Sequence, residues 1–331
     1  MLLKSLIKKV AIAAMAFSIV SVAHAEKKEL NFGIISTEST QNLKATWLPF
    51  LEAMESKTGY KVNAFFAPDY AGVIQAMRFG KVDLAWYGNK SAIEAVDRSG
   101  GEVFAQTVDV DGNPGYWSLL VTHKDSPLNS VDDVLASAKD LTFGFGDPNS
   151  TSGFLVPSYY VFAKNDVDPS KAFKRVINSN HQTNLMAAAN KQVDFATNNT
   201  ENYRRLEITN PEAVKNIKVI WKSPLIPSDP IVWKKELPET TKGKIYDFFM
   251  NYGQNDVEKK ILADLQWAPF RASSDDQLVP IRQLVLFKNR IKIEKDEKYS
   301  AAEKAEKLAA IDAQLGVLNR KMAAMKVLAS N

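Results

Sequence analysis

Lys81-Val82-Asp83-Leu84-Ala85 returns later in the chain as Val193-Asp194-Phe195-Ala196, and this recurrence decides the fold. Val62 to Phe66 and Phe173 to Ile177 read as strands, each followed by a helical segment that leads into one copy. Aligning Val82 with Val193 sets Tyr70 opposite His181, both where a strand has just ended and a helix begins. In open α/β sheets that edge is where ligands bind. V-D-x-A is a short pattern, and two unrelated βαβ units would also produce it by chance. Taken as a true repeat, it predicts two similar lobes that present helix N-termini to one cleft.

Outward from the repeat, short apolar runs alternate with amphipathic segments, the pattern of an α/β protein. Leu30 to Ile35 reads as a strand. Thr40 to Lys57 reads as a helix, with Leu43, Trp47, Phe50, Leu51 and Met54 at helical spacing. Lys61 to Ala67, Tyr70 to Arg78 and Val82 to Trp86 follow as strand, helix and strand. The expected organisation is a first lobe of residues 26–119 and 226–298, a second of 120–225, and a C-terminal helix, 299–331. The chain would cross near Trp117–Val121 and again near Ser223–Asp229, where Ser223-Pro224 and Pro227-Ser228-Asp229-Pro230 suit a hinge.

Lys4, Lys8 and Lys9 precede an apolar run from Val10 to Val22, and Ala23-His24-Ala25 stands before Glu26. A basic start, a short apolar run and an A-x-A site predict a cleaved signal peptide, residues 1–25, and export to a periplasm. The run is shorter than the roughly 20 residues of a membrane span. Three of the 42 Lys and Arg lie in this leader, which leaves near-balance against 38 Asp and Glu. Nothing in that balance suggests a nucleic-acid surface. The chain has no cysteine, and only His123 and His181 follow the leader. Disulfides, thiolate metal sites and cysteine nucleophiles are excluded, and neither a metal nor a cofactor is expected. Ser152 has no evident partner base, so an enzyme is not expected either.

The stretch Gly144-Phe145-Gly146-Asp147-Pro148-Asn149-Ser150-Thr151-Ser152-Gly153 follows the strand Leu141–Phe143 and opens an apolar helix, Phe154 to Phe162. Free backbone N–H groups, the positive helix end and three hydroxyls make such a turn an anion site. Simple N-capping by Ser or Thr would look the same. No Lys follows at the spacing of a nucleotide-binding P-loop. Asp69-Tyr70-Ala71-Gly72, Tyr116 in Pro114-Gly115-Tyr116-Trp117, Glu201 in Asn198-Asn199-Thr200-Glu201-Asn202, and Asp229 also fall at the expected cleft. Taken singly, each tyrosine could equally be packing and each carboxylate solvated surface.

Asn31-Phe32-Gly33-Ile34-Ile35-Ser36-Thr37-Glu38, Ala67-Pro68-Asp69-Tyr70-Ala71-Gly72, Trp86-Tyr87-Gly88-Asn89, Asp147-Pro148-Asn149-Ser150-Thr151-Ser152-Gly153 and Thr197-Asn198-Asn199-Thr200-Glu201-Asn202 together resemble the periplasmic phosphonate-binding proteins of ABC transporters. The resemblance runs to about residue 285. It implies a two-lobed type II periplasmic-binding-protein fold, a membrane permease as partner, and 2-aminoethylphosphonate as ligand, with phosphate or phosphite as the alternative. By the same resemblance, Tyr70, Ser150, Thr151 and Ser152 would hold the phosphonate oxygens with His181 nearby. Glu201 and Asp229 would take the ammonium, and Tyr116 would line the cleft. Phe145 and Ser228 depart from the pattern, where Asn and Gly are expected.

Ser300 and Glu303 form a capping box, after which Leu308, Ile311, Leu315, Leu318, Met322 and Met325 recur at alternating spacings of three and four. Such a seam fits a homodimer or an amphipathic helix lying on its own lobe, and the resemblance favours the homodimer.

Overall fold

A computed structural model describes residues 29–329, so the expected signal peptide lies outside the described residues. In chain order the strands are β1 (Glu29–Ile34), β2 (Lys61–Phe66), β3 (Leu84–Trp86), β4 (Gly101–Asp109), β5 (Gly115–Tyr116), β6 (Ser118–His123) and β7 (Thr142–Gly146). They continue as β8 (Arg175–Ser179), β9 (Phe195–Asn199), β10 (Ile217–Lys222), β11 (Ile226–Pro227), β12 (Pro230–Lys234) and β13 (Trp267–Ala272). One sheet runs β2-β1-β3-β12-β4-β13 and the other β8-β7-β9-β6-β10. In each, three parallel strands meet one antiparallel strand, β12 beside β3 and β6 beside β9. Both antiparallel strands enter directly after a crossing between the lobes.

The repeat has a physical cause. The Asp83 N–H donates to the Asn31 carbonyl, and the Asn31 N–H returns a bond to Oδ2 of Asp83 at 2.8 Å. Asp194 does the same with Thr142, whose N–H reaches its Oδ2 at 2.6 Å. Each aspartate thus extends the ladder by one side-chain bond before its strand begins. The flanking Val and Ala face a glycine on the neighbouring parallel strand, Gly33 on β1 and Gly144 on β7. A Cβ on Gly33 would lie 3.0 Å from both Val82 and Ala85, and one on Gly144 3.0 Å from Ala196 and 3.4 Å from Val193. Val-Asp-x-Ala is therefore the signature of one packing solution used twice.

Boundaries differ from expectation where side-chain bonding replaces the ladder. The strand expected from Val82 begins at Leu84, because the Val82 N–H is bonded back to the Ala76 carbonyl and Asp83 is taken up in that bridge. The strand expected at Phe173 to Ile177 lies two residues later, at Arg175–Ser179. The first crossing is earlier than expected: Tyr116 pairs with Ile226 and Gly115 with Pro227 in a two-stranded hinge. A Cβ on Gly115 would sit 1.9 Å from the Ile226 carbonyl oxygen, so only glycine lets these strands meet.

The helix expected from Phe154 starts at Thr151 and runs in wide π turns, Thr151–Leu155 and Ser158–Phe162. Pro157 has no N–H to give, so the carbonyl of Gly153 accepts instead from the Thr197 hydroxyl at 2.6 Å. The Ser152 carbonyl accepts from the Ser118 hydroxyl at 2.6 Å. These freed carbonyls tie the turn to β6 and β9. Beneath them Phe143 stacks on Phe195 with ring centres 4.4 Å apart, and Phe145 stacks on Phe154 at 4.4 Å.

The C-terminal helix, Ala301–Ala329, opens on the expected capping box, with the Ser300 N–H to Glu303 Oε2 at 2.8 Å and the Glu303 N–H to Ser300 Oγ at 3.3 Å. It packs along the helix Val279–Lys295, and Ile311 and Leu315 of the seam are buried. Gln283 to Asn319 at 2.6 Å and Arg290 to Asp312 at 3.0 Å fix it there. The centre of the apolar seam is therefore spent within the subunit, the second of the two arrangements its spacing allowed.

Candidate functional site

Five helix N-termini, drawn from both lobes, meet around one cavity. Tyr70 and His181 are the first residues of their helices, Gly88, Ser150 and Asn199 are N-caps, and all five line the space. Each helix follows the carboxyl end of a parallel strand, so its free N–H groups and the positive end of its dipole face inward. Tyr116, Thr151, Ser152, Glu201 and Asp229 complete the wall. All eight residues singled out from the sequence thus reach one place. The free space that these walls leave is small. It suits a small ligand.

One side of the cavity gathers hydrogen-bond donors. Ser150 Oγ accepts from the Gly153 N–H at 2.9 Å and contacts His181 Nε2 at 3.3 Å. Thr151 Oγ1 accepts from the Lys90 N–H at 2.9 Å, which leaves its own proton free to donate. Ser152 Oγ likewise accepts from Asn199 Nδ2 at 3.0 Å. Both hydroxyls are thus turned into donors by neighbours that fill their acceptor positions. Burial lowers the pKa of His181 to about 4, so its ring is neutral near pH 7.

Two carboxyl groups from opposite lobes form the other side. Tyr116 donates its hydroxyl to Asp229 Oδ1 at 2.9 Å. The Asp229 backbone is fixed by reciprocal bonds to Thr107, from its N–H to Oγ1 at 3.1 Å and from the Thr107 N–H to its carbonyl at 2.9 Å. Burial, and then the nearness of Glu201, push the pKa of Asp229 well above the usual carboxylate range. Burial and then Asp109 raise Glu201 to about 7, against the opposing pull of Arg204 and Arg205. Neighbouring acids disfavour one another's ionisation, and a positive charge beside them would relieve it.

Sequence reasoning left out Ile35, Thr37, Trp86, Gly88, Asn199 and Asn202, which also line the cavity. Trp86 and Gly88 stood in a quoted motif, and Asn199 two places before Glu201 carried the N-cap signal that would have found it. The two departures from the expected pattern, Phe145 and Ser228, do not line it. Phe145 belongs to the second-lobe core, and the Ser228 carbonyl accepts from Gln277 Nε2 at 3.1 Å.

Residues 32–278 match the model of a family described as ABC transporter, phosphonate, periplasmic substrate-binding protein. The chain is 62% identical over 328 residues to the phosphonates-binding periplasmic protein of Escherichia coli K12, covering 96% of this chain and 97% of that one. It is also 62% identical to the crystal structure of a binding-protein component of an ABC phosphonate transporter from Pseudomonas aeruginosa. The TM-score is 0.89, over 91% of this chain and all of that one. A phosphate-import protein of Mycolicibacterium smegmatis is 30% identical over 60% of this chain. The architecture above is accordingly the two-lobed type II fold of periplasmic binding proteins, which are transport components and not enzymes.

Proposed function

Because the chain belongs to the periplasmic substrate-binding proteins of phosphonate ABC transporters, we propose that its preferred ligand is 2-aminoethylphosphonate, held between the lobes and passed to the permease. The phosphonate would sit on Ser150, Thr151, Ser152 and Tyr70 beside the neutral His181. Its ammonium would sit between Glu201 and Asp229, with Tyr116 fixing the latter. One observation carries this reading: a buried carboxyl, Asp229, and a half-buried one, Glu201, line one side of a cavity whose other side gathers hydroxyl and backbone donors. A phosphonate without an amine would use only half of that wall.

A proton count tests the pairing. Glu201 has its pKa raised to about 7 without ligand, and an ammonium beside it would pull that value back down. Binding of 2-aminoethylphosphonate between pH 5.5 and 7 should therefore release a proton that methylphosphonate does not release. Affinity for the aminated ligand, relative to methylphosphonate, should fall as the pH drops below 7. Calorimetry in two buffers of different ionisation enthalpy reads the proton directly. Equal proton release by both ligands would remove the carboxyl pair from the amine site.

Further readings, proposed alongside this one, are a leader cleaved after Ala25 and a homodimer formed through the C-terminal helix. With Ile311 and Leu315 occupied by the helix Val279–Lys295, a dimer would use the outer face, where Val317 is exposed. The mass in solution of residues 26–331 should be twice that of a form ending at Ser300, corrected for length. Two monomers would refute it.

A further inference from the structure

The helix Thr200–Thr209 carries Glu201 in its first turn and a pair of arginines in its second. Both arginines leave the second lobe and cross the cleft. Arg205 Nε pairs with Glu38 Oε1 at 2.9 Å. Arg204 pairs with Asp109 Oδ2 and Asp111 Oδ2, both at 2.5 Å, and its Nε donates to Gln266 Oε1 at 3.2 Å. Glu38, Asp109 and Gln266 are buried and belong to the first lobe or the loops of its sheet. Elsewhere the lobes are joined by Ser39 N–H to Gln182 Oε1 and Lys90 N–H to Thr151 Oγ1, both at 2.9 Å, by Tyr70 N–H to Asp147 Oδ2 and Lys90 Nζ to Asn149 Oδ1, both at 3.2 Å, and by an ion pair of Lys295 with Asp166. The two arginines thus place three cross-lobe ion pairs on the carboxyl side, one helical turn from Glu201.

We propose that Arg204 and Arg205 form a latch that holds the lobes shut on the amine side of the cleft. The proposal rests on the ligand reading above only in placing Glu201 in the site. The latch pairs exist only when the lobes meet, since opening separates Glu38 from Arg205 and returns both to water. They touch no part of the cavity wall that would hold the phosphonate. Their contribution is therefore to the fraction of closed protein, and apparent affinity scales with that fraction for every ligand alike. Opening frees the ligand, so the loss belongs in the dissociation rate. Arg204 and Arg205 are thus positioning residues, distinct in effect from Glu201, which reads the amine alone.

Arg205→Gln, Glu38→Gln and the double variant test this, because neither residue belongs to a core cluster and thermal unfolding would report any loss of fold. Each single variant should weaken 2-aminoethylphosphonate and methylphosphonate by a similar factor, of about tenfold, through faster dissociation. The double variant should lose no more than the worse single, since the two residues act as one pair. The exchanged pair, Arg205→Glu with Glu38→Arg, should recover part of the loss. Unchanged affinity, additive losses, or a loss confined to the aminated ligand would each overturn the latch. The chain has no cysteine, so spin labels at Lys139→Cys and Lys259→Cys also report interlobe distance without ligand. There Arg205→Gln should deplete the short-distance population, and an unaltered distribution would overturn the proposal. If the wild type binds neither phosphonate, the ligand reading fails while this distance measurement still judges the latch.

Discussion

Asp229→Asn should lower affinity for 2-aminoethylphosphonate by about 10²-fold or more and leave methylphosphonate within a few-fold. The carboxyl group is buried, held by Tyr116 and by the doubly bonded backbone at Thr107, so the amide fits its place with little rearrangement. What is lost is the charge. Removing one partner of an enclosed ion pair costs about 3–5 kcal/mol, and each 1.4 kcal/mol is about tenfold in affinity. Methylphosphonate has no ammonium to lose, and removing one of two mutually repelling acids would relieve strain in its complex. Glu201→Gln should act in the same direction with a smaller effect, since Glu201 is less buried and already opposed by Arg204 and Arg205. Titration calorimetry of each variant with both ligands measures the ratio. Equal losses for the two ligands would show that these acids shape the closed cleft and do not read the amine.

Thr151→Ala combined with Ser152→Ala should weaken every phosphonate by a common factor, again of order 10². Lys90 and Asn199 fill the acceptor positions of these hydroxyls, so both protons are free for the ligand. A hydrogen bond to a charged group contributes about 1.5–3 kcal/mol, and the two losses together remain short of abolition because the N–H groups of the turn persist. Gly146 and Gly153 keep those N–H groups in place. Their backbones touch so closely that a Cβ on Gly146 would lie 2.5 Å from the Gly153 carbonyl. Unaltered methylphosphonate affinity in the double variant would move the anion site elsewhere.

Much of this was legible before the structure, for reasons that can be named. Val82-Asp83 and Val193-Asp194 betrayed the two lobes because one packing of Val and Ala on a strand glycine, with one aspartate bridge, was used twice. Tyr70 and His181 could be placed because that repeat fixes where strand ends and helix starts. Ser150 to Ser152 announced themselves by turn chemistry, and Glu201 and Asp229 by motif. The π turns were hidden, since they depend on Pro157 in concert with the distant hydroxyls of Ser118 and Thr197. So was the latch: Arg204 and Arg205 look like surface charges in sequence, and only folding brings Glu38 and Asp109 to them. The seam of the C-terminal helix had the period of a coiled coil, yet period alone does not say which helix fills it. Here Val279–Lys295 does.

The most direct test is titration calorimetry of residues 26–331 with 2-aminoethylphosphonate, methylphosphonate and inorganic phosphate at pH 7.5. The wall described here predicts 2-aminoethylphosphonate tightest by at least about a hundredfold, methylphosphonate second, and phosphate weakest, because buried groups left without partners penalise an analogue by orders of magnitude. Phosphate or methylphosphonate binding as tightly as the aminated ligand would contradict the assignment of Glu201 and Asp229 to an ammonium group.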